Sequence, residues 1–252
     1  MNISGKHKLI NFLDLAEASL LSGYKRARNE ILTKEEPEQN TEKTINKDVS
    51  QKQNLPDTIE SIAAEIEICK NCRLSESRKN AAAGEGSLSP LVLVIGEGPG
   101  HDEDLQGRPF VGKAGQLLDK MLSSIHLSRE TNCFIANVVK CRPPDNRDPH
   151  PNETEACGGF LQRQIKILKP KIILLVGYVA SQTILNTKEK FGSIRGKFFE
   201  YNTGDSVIPL FVTFHPAALL RNENFKRPAW EDLKLLRERI DQASSDPIKP
   251  GE

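Results

Sequence analysis

No run of apolar residues in this 252-residue chain approaches the roughly 20 needed to cross a bilayer, which argues against a membrane-spanning role. There is no excess of either charge: 35 Lys and Arg stand against 34 Asp and Glu, for a net charge of +1. That balance selects no partner, although it leaves room for local patches. Hydrophobic residues make up only 37%, so part of the length is expected to lie outside any core. The opening stretch MNISGKHKLINFLDLAEASLLSGY carries charges and lacks a small-residue cleavage site. These features argue against a secretory signal, and a cytoplasmic protein is expected. The five cysteines are then not expected to be disulfides, which leaves a metal site or buried thiols.

Apolar side chains at Leu9, Ile10, Phe12, Leu13, Ala16, Leu20, Leu21 and Tyr24 predict an amphipathic helix within residues 1–32. It would pack on the main domain or bind a protein partner. Residues 33–55 are almost wholly polar and read as a flexible linker. The compact domain is expected over 56–242, with a disordered tail at 243–252. Within the domain, four dense apolar runs predict buried strands: Leu91–Ile95, Cys133–Val139, Lys171–Gly177 and Pro209–Phe214. Helical patterns cover Thr58–Cys69, Gly115–Ser124, Glu153–Leu168, Val179–Leu185 and Pro228–Ile240. Alternating strands and helices predict an α/β fold, a three-layer αβα sandwich around a four-stranded, mostly parallel sheet. A ligand site is expected beyond the carboxyl ends of its strands.

The stretch VIGEGPGHDEDLQGRPFVGKAG, Val94–Gly115, invites a nucleotide-binding reading. A dinucleotide fingerprint needs G-x-G-x-x-G, but His101 stands where the third glycine belongs, and Pro99 interrupts the loop. No Gly-Lys-Ser/Thr follows, so a P-loop is excluded too. The glycines still permit close approach of a ligand to the backbone. Cys69 and Cys72 form C-x-x-C, with Cys141 and Cys157 far downstream. Four thiolates suit zinc or a [4Fe–4S] cluster, and ligand count does not choose between them. Cys133 falls inside a predicted strand and reads as a buried structural thiol. Arg142 and Arg147, in the proline-rich loop after Cys141, place positive charge beside that site, which suits an anionic polymer.

Taken together and in order, GEGPG, GRPFVGKAG, NVVKCRPP and HPAALLRN, with the four cysteines, resemble the family 4 uracil-DNA glycosylases. The resemblance covers about Ile66 to Trp230. It implies a four-stranded parallel sheet between helices and a structural [4Fe–4S] cluster on Cys69, Cys72, Cys141 and Cys157. The substrate implied is uracil-containing DNA, single- or double-stranded, handled by a monomer. In this likeness Glu97, Asn137 and His215 are catalytic. Glu97, Gly98, Glu103, Phe110, Asn137 and His215 bind the uracil, and Gly100 lets the backbone approach it. His215 lies beside uracil O2, Asn137 reads N3–H and O4, and Phe110 stacks on the base. Of the two acids, Glu97 is ranked ahead of Glu103 for orienting the attacking water. Leu219 would wedge into the gap left by the flipped nucleotide. Lys113 and Arg221 would hold phosphates, aided by the backbone at Gly112 and Gly115. Two other readings compete: a non-catalytic DNA-binding member of the superfamily, and a zinc-stapled nucleic-acid-binding module.

Overall fold

The computed structural model describes residues 57–245. The predicted N-terminal helix and linker, and the chain beyond residue 245, lie outside the described residues. In chain order the elements are α1 (Ile59–Ile68), α2 (Leu74–Ser77), β1 (Glu85–Gly86), β2 (Val92–Gly96), α3 (His101–Gln106), α4 (Lys113–Ser123), β3 (Cys133–Asn137), α5 (Pro151–Leu168), β4 (Ile172–Val176), α6 (Tyr178–Leu185), α7 (Phe191–Ile194), β5 (Phe198–Asn202), β6 (Val207–Thr213), α8 (Pro216–Arg221) and α9 (Lys226–Ser245). The last helix runs past the expected domain end at 242.

The sheet has six strands in the order β1-β3-β2-β4-β6-β5. Its centre is the parallel set β3-β2-β4-β6, the four strands read from the sequence. Two antiparallel edges extend it: β1 on β3 and β5 on β6. β2, β3 and β4 are buried along their length, and β6 from Leu210 onward, because helices cover both faces, and that is why they read as continuous apolar runs.

Side chains alternate across the sheet with the two-residue strand period. Leu93, Ile95, Phe134, Ile173, Leu175, Leu210 and Val212 point to one face, where Leu161, Ile165 and Leu168 of α5 pack on them. Val92, Val94, Ile135, Ile172, Leu174 and Phe211 point to the other, under Leu118, Met121 and Leu122 of α4 and Leu233, Leu236 and Ile240 of α9. Each buried aliphatic side chain contributes about 1.5–3 kcal/mol relative to exposure. This double-sided burial makes the three layers. Cys133 lies in the second layer's core, where burial pushes its thiol up to about 12. Among the described residues, no helix is long and apolar enough to cross a membrane.

Candidate active site

Four parallel strands end at one cleft of about 650 Å³. Glu97 follows β2, Asn137 closes β3, Gly177 and Tyr178 follow β4, and Phe214 and His215 follow β6. Glu97, Gly98, Gly100, Glu103, Phe110, Asn137, His215 and Arg221 all contribute to its wall. The structure therefore brings together every residue expected at the uracil.

Asn137 stands across from Gly96 in the β2–β3 register. A β-carbon at Gly96 would come within 2.6 Å of the Asn137 Oδ1 and 2.5 Å of the Phe110 ring. Only glycine lets carboxamide and ring close over that strand end. Asn137 is 1% exposed, yet its Oδ1 is buried with no hydrogen-bond partner. A buried polar atom left unpaired costs about 1–3 kcal/mol, so this oxygen is an unmet acceptor. Its backbone is pinned from behind: Lys140 Nζ, fully buried, donates to the Asn137 carbonyl at 3.0 Å and to Gln164 Oε1 at 2.8 Å.

Phe110 is held in a left-handed conformation, φ 53°, which costs a non-glycine residue about 1–3 kcal/mol. Arg129 offsets that cost. Its buried guanidinium donates to the carbonyls of Pro109 (3.0 Å) and Phe110 (2.8 Å). It is in turn paired with Asp119 and with Glu85 of β1. The otherwise minimal edge strand thus anchors the Phe110 loop. Gly115 serves the same loop, since a β-carbon there would fall 1.9 Å from the Phe110 carbonyl oxygen. The Phe110 ring meets the His215 ring at 5.5 Å between centroids.

His215 is the N-cap of α8, with Pro216 at the first helical position. Its Nδ1 accepts from the Ala217 N–H at 3.1 Å. The hydrogen of the neutral ring therefore sits on Nε2, which is left as a donor. Burial, and secondarily the positive charge of Arg221, push His215 down to about 4, so the ring is neutral at physiological pH. Gly177, at φ 97°, lets the histidine come this close, because a β-carbon there would lie 2.8 Å from the His215 Cβ. Burial, and then repulsion from Asp148, push Glu97 up to about 7 against the opposing pull of Arg221. Gly177 and Arg129 lie outside the quoted motifs, and Gly96 and Lys140 lie inside them with no role assigned: the two glycines matter for close approach, and Arg129 and Lys140 act from behind the cleft.

Several expectations are corrected. Glu103 lines the cleft, but its carboxylate already accepts from the N–H groups of Gly100, Val111 and Gly112 at 2.9–3.1 Å. It ties the loop before α3 to the start of α4 instead of presenting a free acid. The Gly112 N–H is thereby taken, and Gly115 is buried against Phe110, so neither glycine offers itself to a phosphate. Gly98 lines the cleft, yet its missing β-carbon makes room for Val139, 2.7 Å away. Leu219 is no exposed wedge: it is 3% exposed and packs in the core with Phe110 and Leu118. Its neighbour Leu220 is half exposed. Lys113 is exposed at the start of α4, and Arg221 is exposed on the cleft wall. Arg147 is engaged by Glu153 at 2.7 Å, and Arg142 bonds Asn146.

Cys69, Cys72, Cys141 and Cys157 line one small pocket between α1, α5 and the loop after β3. Arg78 Nη1 donates to Cys141 Sγ at 2.9 Å and Nη2 to the Cys69 carbonyl at 3.1 Å. Among the described residues, no set of three His, Cys, Asp or Glu side chains stands ready-made for a metal ion.

The family model described as the uracil DNA glycosylase superfamily matches residues 83–234. The type-4 uracil-DNA glycosylase of Saccharolobus solfataricus is 43% identical, over 76% of this chain and 89% of that protein. That of Sulfurisphaera tokodaii is 44% identical, over 72% and 84% respectively. The type-4 enzyme of Archaeoglobus fulgidus is 38% identical, over 72% of this chain and 93% of its own. With that extent of likeness laid over the cleft just described, the chain belongs to the uracil DNA glycosylase superfamily, among the type-4 uracil-DNA glycosylases.

Proposed function

We propose that this protein extrudes uracil from DNA and hydrolyses the bond between deoxyribose C1′ and uracil N1, leaving an abasic site without cutting the strand. The observation that carries the reading is the partnerless, buried Asn137 Oδ1 in the same cleft as the neutral, Nε2-protonated His215. Uracil N3–H supplies the donor that Oδ1 lacks. As the bond breaks, negative charge collects on the departing ring. A donor from His215 Nε2 to O2 strengthens as that charge grows, and this differential gain lowers the barrier. Phe110 stacks on the base, and Glu97 orients water or offsets the developing charge on the sugar. Uracil released from a deoxyuridine oligonucleotide, with alkali-labile sites left behind, supports the reading; no free uracil and a strand that still resists alkali after prolonged incubation refute it.

Glu97 fixes the sign of the pH dependence. Its working form is the carboxylate, and its value near 7 lies above the ordinary range. The kcat/KM, which reports groups in the free enzyme, therefore rises with pH through about 7. Glu97→Gln removes this inflection, leaving a slower and flat profile across roughly pH 5–8. An inflection that survives the substitution assigns it elsewhere.

The four cysteines fit a [4Fe–4S] cluster. They converge on one pocket, and no histidine or carboxylate shares its wall. Thiolate is the ligand such clusters take, and Arg78 brings positive charge to Cys141. When bound, the cluster supplies a structural tie between α1, α5 and the loop that follows Asn137. Cys141→Ala is expected to bleach the brown colour, lower the iron content and lower the melting temperature. A colourless wild type containing zinc would identify the other metal.

A further inference from the structure

The cleft is larger than one pyrimidine ring fills, and the residues assigned to uracil account for only part of its wall. Four aromatic side chains, Tyr178, Phe191, Phe214 and Phe225, line part of the rest, with Asn146, Arg147 and Asp148 also on the wall. Three form a braced array. Phe214 and Phe225 stack at 4.8 Å with 14° between planes, and Phe191 meets Phe214 edge-on at 5.5 Å. The Arg195 guanidinium stands 4.9 Å from the Phe214 ring centre. Arg195 is held in turn by the buried Asp232 at 2.6 Å. Phe225 of this array and the separate Tyr178 remain 36% and 49% exposed. Large aromatic faces left in water beside a binding cleft mark a surface built for a ligand.

We propose that Phe225 and Tyr178 form a stacking subsite for an unpaired nucleobase flanking the flipped uracil, and so hold single-stranded DNA. This rests on the uracil-release reading above. Every base offers a π-face, so aromatic platforms bind single strands with little sequence preference. In a duplex the neighbouring bases cover one another, and that face is not free. Phe225 is seated in a short turn (Glu223–Phe225) capped by Asn222 Oδ1, which accepts from the Asn224 N–H at 3.0 Å. Arg221 is exposed on the same cleft wall and supplies a positive charge for the strand's backbone. These features favour a nucleotide over an apolar protein segment.

The test uses single strands carrying 2′-fluoro-deoxyuridine, whose glycosidic bond resists cleavage. One strand has thymines on both sides of the analogue; in its twin both neighbours are abasic. Wild-type protein is expected to bind the first about 5- to 150-fold more tightly, the range for one or more stacked bases. Phe225→Ala and Tyr178→Ala are expected to bind the thymine-flanked strand more weakly and to lose much of that discrimination. Phe225→Leu keeps apolar volume against Phe214 and covers the case in which alanine disturbs the turn; it too is expected to lose discrimination. Equal wild-type affinity for both strands, or full discrimination in all three variants, overturns the subsite. So does a wild-type dimer that Phe225→Ala dissolves, with no change in discrimination, since the face would then join two copies. A wild type that releases no uracil from an ordinary deoxyuridine strand instead refutes the underlying activity.

Discussion

His215→Ala lowers the single-turnover rate of uracil release by on the order of 10²–10³-fold, the cost of removing one donor aimed at developing charge, while affinity for uracil-containing DNA falls far less. The asymmetry follows from when the bond matters. In the ground state uracil O2 is a neutral carbonyl, and a hydrogen bond to it is offset by the water it replaces. In the transition state the ring carries a growing charge inside a partly desolvated cleft, and the same bond is worth much more. A neutral imidazole suits this task because its Nε2–H is fixed by the Ala217 N–H on the other nitrogen. The position near 4 also means that His215 itself adds no titration near neutral pH. Alanine removes the α8 cap along with the donor, so His215→Asn serves as the control: it supplies a cap acceptor without the imidazole's reach. A rate restored by asparagine would assign His215 to helix capping alone.

The four central strands were legible because double-sided burial writes itself as unbroken Val, Ile and Leu runs, as in Ile172–Val176. The edges were not. β1 is two residues long, and β5 alternates exposed and half-buried side chains with polar residues among them, a pattern any surface loop shares. The cleft residues were legible as motifs, but their supports were not. Nothing around Arg129 announces that it reaches back to the Phe110 carbonyl, because that contact exists only once β3 and α4 have packed. Leu219 shows the same limit from the other side. The family likeness puts a wedge at Leu219, but α8 turns Leu219 under the sheet's helical layer and leaves Leu220 outside. A one-residue rotation on a short helix is decided by packing, which spacing alone does not reveal.

Specificity should respond to a single atom exchange. Asn137→Asp is expected to shift the ratio of kcat/KM for uracil over cytosine toward cytosine by about 5- to 150-fold for each hydrogen-bonding group that changes partner. The native carboxamide offers one acceptor and a donor pair, matching uracil N3–H and O4. Cytosine inverts both: N3 accepts and its amino group donates. Against the native amide it leaves two buried groups facing like against like. Turning the amide over would remove that penalty, so discrimination needs a side chain that stays put. Here Gly96 lets the Phe110 ring and the Asn137 Oδ1 close over one strand end, Arg129 fixes the Phe110 backbone, and Lys140 fixes the Asn137 carbonyl. An aspartic acid in the same frame, protonated by burial, carries its proton on either oxygen, so it can donate to cytosine N3 and accept from its amino group as readily as it serves uracil, and the preference for uracil falls. Parallel time courses on deoxyuridine and deoxycytidine strands measure the shift. An unchanged ratio would mean that the cleft selects uracil by shape, and that the partnerless oxygen on Asn137 has another purpose.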